Sequence, residues 1–64
     1  MPRIFVIEIT GEKLLPIIDY ESEVIPRIGE SWTWGMQYRV KDVHWLHWGK
    51  VAEQRQVKIY VEKV

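Results

Sequence analysis

The histidines of the chain, His44 and His47, are three residues apart. On a helix that spacing would set both imidazoles on one face, where a metal ion can be held. On a strand it sends them to opposite faces. No cysteine is present to add ligands, and the nearest carboxylate, Asp42, reads as a solvated strand residue, so no metal site is expected. Nucleophilic catalysis needs a nucleophile, a base and an orienting group. The serines, Ser22 and Ser31, stand in no strand-to-helix elbow. Glu8 is the one carboxylate inside an apolar run, and it reads as the point where that strand leaves the core. Gly29, Gly35 and Gly49 are isolated turn glycines rather than a phosphate-cradling loop. With no constellation to which catalytic roles could be assigned, neither an enzyme nor a cofactor is expected.

An aromatic and basic cluster is the better lead. All four tryptophans, Trp32, Trp34, Trp45 and Trp48, lie close in sequence to Arg39, His44, His47 and Lys50. Aromatic faces beside cations suit a flat ligand carrying phosphate. Stacking contributes roughly 1–3 kcal/mol per base, and a guanidinium grips phosphate through two parallel hydrogen bonds. The candidate binding residues are therefore Trp32, Trp34, Arg39, His44, His47, Trp48 and Lys50, for a small anionic aromatic ligand or for a protein partner. The competing reading makes two or three of these tryptophans the core of a small barrel.

The elements that must carry this cluster are strands. Residues 3–10, RIFVIEIT, are β-branched or aromatic almost throughout. Phe5, Ile7 and Ile9 share one face; Ile4 and Val6 share the other, which Glu8 and Thr10 then turn polar. Apolar residues on both faces predict cover on both sides, the second cover being a dimer partner. Gly11-Glu12 marks a turn. Residues 13–24 are ambiguous, because Pro16 sits badly in a helix or a central strand; an edge strand or an extended connection is expected. Residues 25–30, IPRIGE, read as a rigid bend. Residues 31–34 form a short strand with Trp32 and Trp34 on one face, and Gly35-Met36 closes a hairpin. Residues 37–48 are the longest candidate. Tyr38 and Val40 share one parity, Val43 and Trp45 the other, and that phase change at Lys41-Asp42 is the signature of a β-bulge. His44, Leu46 and Trp48 then point outward, as does Arg39. After a polar connection at 49–54, residues 55–64 return as a strand with Val57, Ile59 and Val61 inward. The expected fold is all-β: one domain over residues 1–64, a five-stranded, strongly bent antiparallel sheet or SH3-like barrel.

Sixty-four residues bury only about 60% of the unfolded surface. A chain this small and free of cysteine must rely on large aromatics, on self-association, or on both. Net charge is zero, which argues against a general nucleic-acid binder. The charge is nonetheless divided, with a balance of −3 over residues 1–36 and +3 over residues 37–64. Halves of opposite sign can pair within one domain or across a homodimer. The opening MPRIFVIEIT is broken by Arg3 and Glu8, so no secretory leader is expected. No run approaches the roughly 20 apolar residues of a membrane span. A cytoplasmic location is expected.

The succession Pro26-Arg27-Ile28-Gly29-Glu30, Tyr38-Arg39-Val40, Val43-His44-Trp45 and Val57-Lys58-Ile59-Tyr60-Val61 resembles short proteins encoded by bacteriophages and mobile elements, over about the last 40 residues. That resemblance implies a small β-barrel in the host cytoplasm. Some compact phage proteins of this kind are counter-defence factors, among them homo-oligomers that sequester nucleotide immune signals. Two functions follow as expectations. One is a non-enzymatic binding protein holding a nucleotide-like ligand. The other is an interaction module docking a host or phage protein through its tryptophan face or sheet edge.

Overall fold

A computed structural model of the chain describes residues 2–46 and 55–64. Five strands form one sheet: β1 (Arg3–Thr10), β2 (Lys13–Glu21), β3 (Ser31–Trp34), β4 (Met36–Leu46) and β5 (Gln56–Lys63), in the order β2-β1-β5-β4-β3. The sheet is strongly curled into a half-barrel, all-β as the residue types require. It is mixed rather than wholly antiparallel. Three neighbour pairs are antiparallel, but β1 and β5 run parallel. The physical reason is the path of residues 22–30. They leave one edge strand, β2, and enter the other, β3, so the last strand returns beside the first in the same direction.

β1 and β2 are joined by the two residues Gly11-Glu12, with Thr10 opposite Lys13. Gly11 has φ 60, which suits the first central position of a hairpin turn whose twist matches the strands. β2 resolves the ambiguous stretch as an edge strand. Pro16, opposite Ile7, sits beside a register shift that leaves Ile17 unopposed. Proline is tolerated there because an edge strand has one side without a ladder. A second shift lies between Val40 and Asp42, with Lys41 as the extra residue, where the phase change placed it. The two bulges bend their strands, and bent strands let so few residues wrap a core.

The concave face holds that core. Ile4, Val6, Tyr38, Val40, Val57, Ile59 and Val61 are buried, with Ile17, Ile18, Tyr20, Ile25, Trp32 and Val43 packed against them. The inward set of β5 meets β4 as its parity predicts: Val61 opposite Val40, Ile59 opposite Val43, Val57 opposite Trp45. Residues 22–30 close one end. The Arg27 amide donates to Glu30 Oε1 at 2.5 Å and the Glu30 amide to the Arg27 carbonyl at 3.0 Å. Gly29, at φ 91, takes the left-handed position of this turn. Beyond it the Gly29 amide donates to Val40 O, and the Val40 amide to Glu30 O, both at 2.9 Å.

Phe5, Ile7 and Ile9 lie on the opposite, convex face and are partly exposed. At its margin Arg3 Nε donates to Asp19 Oδ2 at 2.8 Å, with Glu21 alongside. Among the described residues no helix is long and apolar enough to cross a membrane.

Candidate functional site

The sheet register divides the aromatic and basic cluster. Trp32 is opposite Tyr38 and Trp34 opposite Met36, on the concave side. Trp32 and Trp34 stack with ring centroids 6.5 Å apart and planes at 22°, and Trp32 meets Tyr38 at 5.7 Å. Arg39 lies opposite Ser31 and Glu62, and His44 opposite Lys58, on the convex side. The single bulge at Lys41 explains the division. Arg39 precedes it and His44 follows it, so both point outward while Tyr38 and its partner Trp32 point inward. The expectation that Trp32 or Trp34 stands beside Arg39 and His44 is thus corrected. His47, Trp48 and Lys50 lie outside the described residues. Arg39 instead borders a shallow hollow of 160 Å³ with Lys41, Glu62, Lys63 and Val64. That is small for a ligand site of about 300–1,000 Å³, and Lys41 already approaches Glu62 at 4.0 Å. His44 is the one described histidine, and no group of three or more metal-ligating side chains forms among the described residues.

The roomier cleft lies elsewhere. Glu23, Ile25, Pro26, Arg27, Ile28, Val43 and Trp45 line a space of 660 Å³ where residues 22–30 cross the end of β4. Five of these seven lining residues have a local cause. Pro26 stiffens the approach, the Arg27–Glu30 turn fixes the position of Arg27 and Ile28, and strand parity aims Val43 and Trp45 at the concave side. Trp45 keeps 41% of its surface exposed and Ile28 64%. Among the described residues the Arg27 side chain makes no ion pair. Among the described residues the walls are largely apolar, with one indole, one guanidinium and one carboxylate. Arg27 belonged to a bend and Trp45 to the core when read from sequence. Their meeting depends on a chain crossing that residue spacing does not encode.

A polar group also occupies the far end of the core. Glu8 does not mark an exit from it. The residue is on the concave face beside Val61 and only 8% exposed. Thr10 Oγ1 donates to Glu8 Oε2 at 2.5 Å, and the Tyr38 hydroxyl is near enough to the same carboxylate for the two to influence each other's titration. Two hydroxyls on one face are what allow a carboxylate to be buried there. Part of the signal was available in the shared parity of Glu8 and Thr10; the approach of Tyr38 depends on β5 lying between β1 and β4. The Thr10 hydrogen bond, opposed by burial and aided by Lys63 and Tyr38, holds the Glu8 pKa below its ordinary 4.5. Burial first, then the Glu8 carboxylate, raise that of Tyr38 above 10.0.

These shifts predict stability loss at both ends of the pH scale. A depressed carboxylate contributes fully above its unfolded pKa and loses that contribution as pH falls through the folded value. A raised phenol contributes fully below its unfolded pKa and loses it as pH rises through the folded one. The thermal unfolding midpoint should therefore drop as pH goes below the ordinary value of 4.5 or above 10.0. Glu8→Gln should flatten the acid limb. An unchanged acid limb in that variant would assign it to other carboxylates.

The chain matches no family model, no curated protein and no solved structure.

Proposed function

We propose that this is a non-enzymatic binding protein that holds a small, flat, anionic ligand of nucleotide type in the cleft between residues 23–28 and the end of β4. The observation that carries this reading is the meeting of Trp45 and Arg27 in one largely apolar cleft of 660 Å³, which Glu23 also lines. That volume falls within the range that encloses small ligands, and a few polar groups in an apolar cleft are what orient them. The indole offers a stacking face to a base. The guanidinium offers paired donors to a phosphate. Among the described residues the only other titratable lining residue is Glu23, and a lone carboxylate without a nucleophile or a paired base favours retention over turnover. Holding a nucleotide signal without breaking it lowers its free concentration, which is the counter-defence role that the resemblance to phage proteins implies.

Equilibrium dialysis against mononucleotides, cyclic dinucleotides and inorganic phosphate tests this, with chromatography of the recovered ligand. The expected result is saturable uptake of a nucleotide, far weaker uptake of phosphate, and ligand recovered unchanged. No uptake of any nucleotide would sink the binding reading. Recovery of a cleaved product would sink the non-enzymatic one.

A further inference from the structure

The half-barrel has two edges, β2 and β3, and they are protected unequally. An open edge presents unpaired amides and carbonyls to any extended chain, and proteins blunt it with proline, bulges and charge. β2 has all three: Pro16, the bulge at Ile17, and Lys13, Asp19 and Glu21. β3 has none, its sequence being SWTW. The direction of its backbone groups follows from the ladder. Val40 turns its amide and carbonyl toward residues 29–30, so by alternation Tyr38 turns its own toward Trp32. That leaves the amides and carbonyls of Ser31 and Thr33 directed away from β4. Beside this edge Trp34 and Met36 are each 51% exposed.

We infer that β3 is the seat of a homodimer, in which the β3 strands of two copies pair antiparallel about a two-fold axis and join their half-barrels into one continuous sheet. A second copy fits this edge better than a charged or irregular strand would. With the axis at Trp32, Ser31 faces the partner subunit's Thr33 in both halves, giving about four main-chain hydrogen bonds. No like charges meet, because the strand carries none. Trp32 comes opposite its own symmetry mate, at the cross-strand separation of about 4.5–5.5 Å where aromatic pairs stabilise a sheet. Trp34 falls on the diagonal, close enough for a large ring to reach. The convex face is the weaker candidate for self-association. Its apolar residues Phe5, Ile7 and Ile9 are already partly covered, and two convex surfaces touch over little area.

Thr33→Pro separates this interface from the fold. The Thr33 amide makes no bond to β4 in this register, and proline is accepted in an edge strand where its nitrogen faces solvent. Sedimentation of the wild-type chain at tens of micromolar should show twice the 7.7 kDa monomer mass. Thr33→Pro should raise the dimer dissociation constant at least tenfold while the far-ultraviolet spectrum stays that of a β-sheet. A wild-type chain that sediments only as monomer, or a folded Thr33→Pro chain that still dimerises, overturns the inference. Hydrogen exchange on the wild-type chain gives a second reading that needs no variant. The Ser31 and Thr33 amides should become slower to exchange as concentration rises. Exchange at a concentration-independent rate overturns the inference and leaves the edge to a foreign strand.

Discussion

Ile59→Ala should unfold much or all of the population at room temperature. Ile59 has no exposed surface and sits on β5, flanked by Val6 on β1 and Val43 on β4. Truncating a buried isoleucine costs about 2–5 kcal/mol, from the lost transfer of its atoms and from the cavity left behind. A chain of this length has roughly 3–10 kcal/mol of stability in total, so one such loss consumes a large part of it. Collapse of the sheet around the void is the usual relief. Here it is restricted, because ladder hydrogen bonds hold β5 on both sides. Gln37→Ala, at an exposed position of β4, should change stability by less than about 0.5 kcal/mol. Urea unfolding of the two variants decides the matter. Similar midpoints would mean that the inward set of β5 is not the centre of the core.

That inward set was legible because a strand has a strict period of two. Val57, Ile59 and Val61 fall on one parity, and only one parity can face inward. The bulge at Lys41 was legible for the same reason, since nothing else moves an apolar set from one parity to the other without breaking the strand. The bulge at Ile17 was not. Leu14, Leu15, Ile17 and Ile18 occupy both parities, so no change of phase is visible. Nor does periodicity name a strand's neighbours. The turn signals at Gly11-Glu12 and Gly35-Met36 are local and concern neighbouring strands, whereas the parallel pairing of β1 with β5 joins the two ends of the sequence. It follows from the crossing of residues 22–30.

The same limit applies to the cleft. Residue type made Trp45 an inward side chain and Pro26-Arg27 a bend, and the structure retains both. Only the crossing of residues 22–30 brings the bend to the end of β4. Arg39 and His44 drew attention as cations among aromatics in the sequence. Proximity along a strand, however, puts neighbours on alternate faces, so the cluster was closer on paper than in space. Glu8 was misread for the opposite reason. A polar residue in an apolar run suggests solvent, until the Thr10 hydroxyl that shares its parity is counted as a partner.

Trp45→Ala and Arg27→Ala should each weaken nucleotide binding in the cleft, by about 1–3 kcal/mol for the lost stack and by a similar amount for the lost charge-assisted hydrogen bonds. Those losses correspond to roughly 5- to 150-fold in dissociation constant. Both side chains retain exposed surface, so neither truncation empties the buried core, and thermal unfolding should remain cooperative in both variants. Their salt dependence should differ. Arg27 acts through charge, and ions screen exposed charges over about 10 Å at 0.1 M ionic strength. Its removal should flatten the loss of affinity with rising salt. Trp45 acts through its ring face, so its removal should lower affinity at every salt concentration and leave the slope intact. Titrations of the wild type and both variants at two ionic strengths distinguish these cases. If nucleotide affinity is unchanged in both variants, the ligand binds elsewhere. If it falls in Trp45→Ala alone, with an unchanged slope in Arg27→Ala, the cleft holds a flat ring but Arg27 does not receive its phosphate.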